Sequence, residues 1–107
     1  MSVNKVILLG FTGNDPEVRY PEKDFPVAFV SLATNEIVGS TKSEITEWHS
    51  LVFKGQQAAI VERYVKKGTM LYVEGSLRTR EYEDRMKITR KKTEIQVHKF
   101  EILGKKQ

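Results

Sequence analysis

At 107 residues, 39% apolar and 30% charged, the chain is sized and composed for one folded domain, residues 1–107, with a core of its own. It has no cysteine, which excludes disulfides and thiolate metal sites, and its opening apolar run is too short for a signal peptide or membrane span. The net charge of +4 is uneven: residues 78–107 hold ten Lys and Arg against five Asp and Glu, whereas residues 1–77 hold eight against nine. A solubilising surface accounts for such a bias as readily as a face for a polyanion. The expectation is a soluble, intracellular protein.

"VNKVILLGF" carries apolar residues on both parities, so both faces of this first strand should be buried. It lies inside a closed barrel or supplies a subunit interface, with Val6 and Leu8 as candidate contacts. "GNDPEVRYPEKDFP" is punctuated by three prolines and reads as a turn-rich excursion. "VAFVSLATNE" is the second strand, "IVGSTKS" a loop, and "TEWHSLVFKG" the third strand. "QQAAIVERYVKKG" switches to helical spacing, with Lys66 and Lys67 suited to the C-terminus and Gly68 to a left-handed cap. "TMLYVEGSLRTREY" is a long fourth strand that can bend at Gly75, and "KITRKKTEIQVHKFEIL" returns as the fifth after a turn near "EDRM". Three strands, a helix and a long two-stranded hairpin predict an all-β protein. The predicted fold is a five-stranded OB-fold Greek-key barrel with one α-helix between strands three and four.

No catalytic constellation emerges. His49 and His98 lie on different strands without metal-ligand spacing, and Glu83 and Asp84 sit at a turn tip, where solvated charge is the ordinary reading. Gly10 and Gly13 lead into a proline-containing turn rather than a helix, so no phosphate loop is formed. No cofactor or metal is expected.

Strand alternation separates two faces. On the third strand His49, Leu51 and Phe53 share one side; Trp48, Ser50, Val52 and Lys54 share the other. On the fourth, Leu71, Val73, Gly75 and Leu77 should point inwards, and Ser76, Arg78, Arg80 and Tyr82 outwards, with Arg90, Lys91 and Lys92 entering the fifth strand opposite them. Cations attract phosphates, and rings stack on unpaired bases regardless of sequence. A lone Trp is more often a partly buried packing residue. The neighbouring Arg78, Arg80 and Tyr82 make a binding platform the better reading.

The segments "VNKVILLG", "DPEVRY", "LATNE", "TEWH", "YVKKG", "YVEGSLRTREY" and "TEI" stand in the order and spacing of bacterial single-stranded DNA-binding proteins, which the chain resembles from Val3 to Gly104. The resemblance implies an OB-fold homotetramer in the cytoplasm, associated with the nucleoid. It would bind single-stranded DNA without sequence preference in replication, recombination and repair. It assigns base stacking to Trp48 and Tyr82, and DNA contacts to Arg78, Arg80, Lys67 and Arg90. Lys54 and Lys91 are further candidates beside them. His49 matches a subunit-interface position.

The departures are specific. Val38 and Lys54 stand where the family often has aromatic residues, Ser50 where it often has Arg, and the hairpin tip lacks its usual Gly. Binding should therefore lean on phosphates and be more salt-sensitive. The sequence stops at "LGKKQ" without the acidic tail that recruits replication and repair enzymes, which implies either a shortened chain or a short variant. Primosomal replication proteins, short related OB-fold dimers, are the nearest alternative. An OB-fold module for protein or oligosaccharide would not need so much positive charge. A small nuclease would need a carboxylate or His cluster that the sequence does not supply.

Overall fold

Hydrophobic alternation organises the computed structural model, which describes residues 1–105; Lys106 and Gln107 lie outside the described residues. The elements are β1 (Val6–Thr12), β2 (Glu17–Glu22), β3 (Phe25–Val38), β4 (Ser43–Lys54), α1 (Gln56–Tyr64), β5 (Thr69–Glu83) and β6 (Thr89–Lys105). They form a sheet of order β1-β5-β6-β4-β3-β2, and β1 also pairs with β3 through Phe11–Ala33 and Thr12–Leu32. β1, β5, β6, β4 and β3 thus close a five-membered ring, the OB-fold arrangement, with β2 appended along β3. All pairings are antiparallel except β4–β6, which meets at Leu51–Ile95 and Val52–Gln96.

The ring is filled from alternate positions: Ala28, Val30 and Leu32 of β3, Leu51 and Phe53 of β4, Leu71 and Val73 of β5, Ile95 and Val97 of β6. α1 lays Ala58 and Val61, with Val65 just beyond, against this core. Phe53 is fully buried and meets Phe100 edge to face at 5.2 Å, so truncating it to Ala would cost about 3–5 kcal/mol.

Two glycines let strands cross. A Cβ on Gly10 would lie 2.1 Å from the Ala33 carbonyl oxygen, and one on Gly75 would lie 2.2 Å from that of Gln96. Gly75 also adjoins a bulge, where His98 has no partner between the Glu74–Lys99 and Gly75–Val97 pairs.

Four expectations are corrected. The proline-punctuated excursion contains β2, which pairs with β3 despite Pro21; the register shift between Arg19 and Glu22 accommodates the missing donor. The helix ends at Tyr64, before Lys66 and Lys67. Gly68, at φ +86°, belongs to the following turn, where its N–H donates to the Thr12 carbonyl. Leu77 is 50% exposed, because β5 there leaves the ring and runs out as a free hairpin arm. Finally, Val6 and Leu8 pack against the protein's own core, whereas Ile7 and Leu9 face outwards at 56% and 55% exposure. A half-buried strand turns one parity inwards, and here it is the even one.

Candidate nucleic-acid interface

Register defines one outward face spanning four strands. Side chains on paired residues share a face, and the pairs are Ala33–Trp48, Ser31–Ser50, Phe29–Val52 and Val27–Lys54 between β3 and β4. Val52–Gln96 carries the face to β6, where it continues through Gln96–Ser76, Glu94–Arg78, Lys92–Arg80 and Arg90–Tyr82 onto β5. Trp48, Lys54, Arg78, Arg80, Tyr82 and Arg90 therefore lie on one surface. Val52, on the same surface, is buried.

Trp48 is 59% exposed. Its indole lies over Gly13, where a Cβ would come within 2.3 Å of Cζ3 and 2.7 Å of Cη2. The Asn14 side chain fixes this loop: its Oδ1 accepts from both the backbone N–H and the hydroxyl of Ser31, at 2.9 and 2.6 Å. Trp48 also lines a groove of about 480 Å³ with Phe11, Asn35, Thr46 and Lys67. The Asp15 carboxylate holds the backbone at Lys67, accepting its N–H at 2.9 Å. The same ring is thus supported on one side and open on the other, as stacking requires.

The arginines divide into two kinds. Arg80 donates from Nε and Nη2 to the two carboxylate oxygens of Glu94 at 2.9 and 3.3 Å, and its Cζ lies 5.5 Å from the Tyr82 ring centroid. The Glu94 side chain is only 3% exposed; this carboxylate raises the Arg80 pKa further, chiefly through the hydrogen bonds. Arg90 donates to Asp84 at 2.9 Å. Arg78, Lys54, Lys67 and Lys92 have no ion pair among the described residues. They are the free cations of the face.

Lys91 pairs with Glu81 on the opposite side of the hairpin, so it does not join the other candidates; Lys92 does, lining a second groove with Asn14, Phe29, Ser31, Ser50 and Glu94. Sequence reasoning did not single out Lys92 because a run of three basic residues does not say which of them faces the sheet. Nor did it single out Glu94. The hairpin tip is built by Asp84, whose carboxylate accepts the N–H groups of Met86 and Ile88 at 2.9 and 3.0 Å besides Arg90. Lys87 takes the left-handed conformation, φ 59°, that a Gly usually fills.

On another side of the ring, His49 is half-buried and shares a 2.9 Å hydrogen bond between Nε2 and Thr34 Oγ1. It borders a groove of about 510 Å³ with Ile7, Leu9, Ile45 and Glu47. No group of three or more His, Cys, Asp or Glu residues is placed to hold a metal ion among the described residues.

With this geometry in view, comparison with known proteins is specific. The single-strand binding protein family model matches residues 3–103. Single-stranded DNA-binding protein 1 of Xylella fastidiosa is 43% identical over 99% of this chain and 81% of its own. The single-stranded DNA-binding protein of Bacteroides thetaiotaomicron is 45% identical over 99% of this chain and 69% of its own. The Plasmodium falciparum SSB solved in complex with ssDNA superposes with a TM-score of 0.81 at 32% identity, covering 96% of both chains. The chain belongs to the single-strand binding protein family.

Proposed function

We propose that this chain binds single-stranded DNA without sequence preference, across the outward face of β3, β4, β6 and β5, and so protects exposed strands in replication, recombination and repair. The observation that carries the reading is Trp48, 59% exposed on its Gly13 support and in register with a surface that holds Lys92, Arg78, Arg80 and Tyr82. Trp48 and Tyr82 stack on bases; Lys54, Lys67, Arg78 and Lys92 neutralise phosphates. The chain sequesters strands rather than cutting them. It works in the cytoplasm as a homo-oligomer, joined through the apolar surface around Ile7, Leu9 and His49. No helix among the described residues is long and apolar enough to cross a membrane.

With a single tryptophan, indole fluorescence reports one position. Titration with a dT oligomer at several salt concentrations should quench Trp48, and the quenching should reverse at high salt. Absence of binding at low salt would overturn the proposal. Labelled strands incubated with Mg²⁺ or Mn²⁺ should remain intact.

A further inference from the structure

The outward face does not stop at β3. β2 extends it through the pairs Glu17–Phe29 and Arg19–Val27. Here Arg19 donates from Nε and Nη2 to one oxygen of Glu17 at 3.1 and 2.6 Å, and its Cζ lies 5.4 Å from the Phe29 ring centroid. This repeats the Arg80 unit: an arginine beside an aromatic ring, with its fork tied to a carboxylate. One unit lies to each side of Trp48 in the strand order β5-β6-β4-β3-β2.

A carboxylate-bound guanidinium is a poor phosphate anchor, because its charge is balanced and Glu17 repels the anion. What it still offers is a flat face, with the ring adding a second. Arg19 and Phe29 also line a mainly apolar groove of about 360 Å³ with Tyr20, Pro21 and Val27. Phe29 borders the adjoining groove of Ser31, Ser50 and Lys92 as well, and Ser31 in turn neighbours Gly13 beneath Trp48. The surface is therefore continuous from the Trp48 indole to Arg19. Lys54, paired in register with Val27 and without an ion pair among the described residues, places a cation beside this end for the backbone of the same strand.

We infer that Arg19 and Phe29 form a further base-stacking subsite for single-stranded DNA, at the β2 end of the face, where an unpaired base packs on the guanidinium–phenyl pair. The inference rests on the binding reading above. It predicts contact with bases rather than phosphates. Loss of the ring should therefore weaken binding while leaving its salt dependence unchanged.

The test uses anisotropy of a fluorescein-labelled dT oligomer. Phe29→Ala should weaken affinity by roughly five- to a hundredfold, the range seen when one base stack is removed. Arg19→Lys, which keeps the charge and loses the plane, should weaken it too. Rescue by Arg19→Lys would make Arg19 an electrostatic contact and overturn the subsite. An independent readout moves the indole: in Trp48→Phe/Phe29→Trp, the only tryptophan reports position 29, and the oligomer should quench it. Oligomer binding by this variant without quenching would overturn the subsite while leaving the general function intact. Failure of the unaltered protein to bind would instead remove the reading beneath it. A change in sedimenting mass without DNA in Phe29→Ala, with unchanged affinity, would assign the patch to self-association and overturn the proposal.

Discussion

Trp48 rests on a residue with no side chain, and that contact is as specific as the indole itself. Gly13→Ala would drive a methyl into the far end of the ring, 2.3 Å from Cζ3. The indole is exposed enough to swing aside, so the fold should survive while the stacking position is lost. Affinity for dT should fall by no more than the about 1–3 kcal/mol that deleting a stack costs, read from the titration midpoint, and the fluorescence change at saturation should be weaker. Arg80 has a different character. Removing it in Arg80→Ala leaves the Glu94 carboxylate buried without its partner. The expected destabilisation is about 1–3 kcal/mol in a urea titration, held towards the lower end because Arg80 itself is half-exposed. Adding Glu94→Gln should recover stability, since the orphan charge is then gone. The exposure of Trp48 was legible from alternation alone, because Leu51 and Phe53 claim the opposite parity. The burial of Glu94 was not. A carboxylate in a basic run reads as solvated, and only the register that folds Arg80 over it removes it from water.

At the scale of elements, the hairpin tip substitutes one side chain for a missing glycine. Asp84 binds Arg90 and the N–H groups of Ile88 and Met86, and these donors, Arg90 first, hold its carboxyl below the ordinary range. A lowered carboxyl favours the folded tip at every pH above the unfolded value of about 3.9. That contribution is lost as pH falls through the lower folded value. The protection of the Met86 and Ile88 amides, taken against their intrinsic exchange rate at each pH, should accordingly fall below about pH 4, and Asp84→Asn should show the lower protection already at neutral pH. Equal protection in the variant would show that the backbone turn suffices. The turn at "EDRM" was legible, as were the helix and the long final strands, since their apolar periods are long and consistent. β2 was hidden because Asp-Pro and Tyr-Pro punctuate it. An edge strand tolerates proline where a central strand does not, and sequence does not say which strand is the edge. The inward parity of β1 was equally unreadable, since Val6, Ile7, Leu8 and Leu9 are all apolar; the ring's curvature makes the choice.

For the whole molecule, the projecting hairpin stretches the outline to 50 × 37 × 34 Å with a radius of gyration of 15.2 Å, above the about 13 Å of a compact chain of this length. Such an arm enlarges the charged face without enlarging the core. Ile7 and Leu9, paired with Glu74 and Tyr72 of β5, are exposed at the β1 end of the ring and border a groove with Ile45. If copies of the chain join through this surface as proposed, Ile7→Lys with Leu9→Lys should leave the fold intact and lower the sedimenting mass; an unchanged mass would count against this surface as a contact. The charged face makes the more quantitative claim. Six basic side chains were expected on it from sequence, at Lys54, Lys67, Arg78, Arg80, Arg90 and Lys91. Arg80 and Arg90 are held by carboxylates and Lys91 faces away, while Lys92 takes its place. Among the described residues four cations without an ion pair remain: Lys54, Lys67, Arg78 and Lys92. On single strands each phosphate contact contributes about 0.7 to the slope of log affinity against log salt, so one protomer should show a slope of about −3. Lys92→Ala should flatten it by about 0.7, whereas Lys91→Ala should leave it unchanged and Arg80→Ala should weaken binding without flattening it. If Lys91→Ala changes the slope as much as Lys92→Ala does, DNA passes along both sides of the hairpin. The register that sorts these lysines would then no longer define the binding surface.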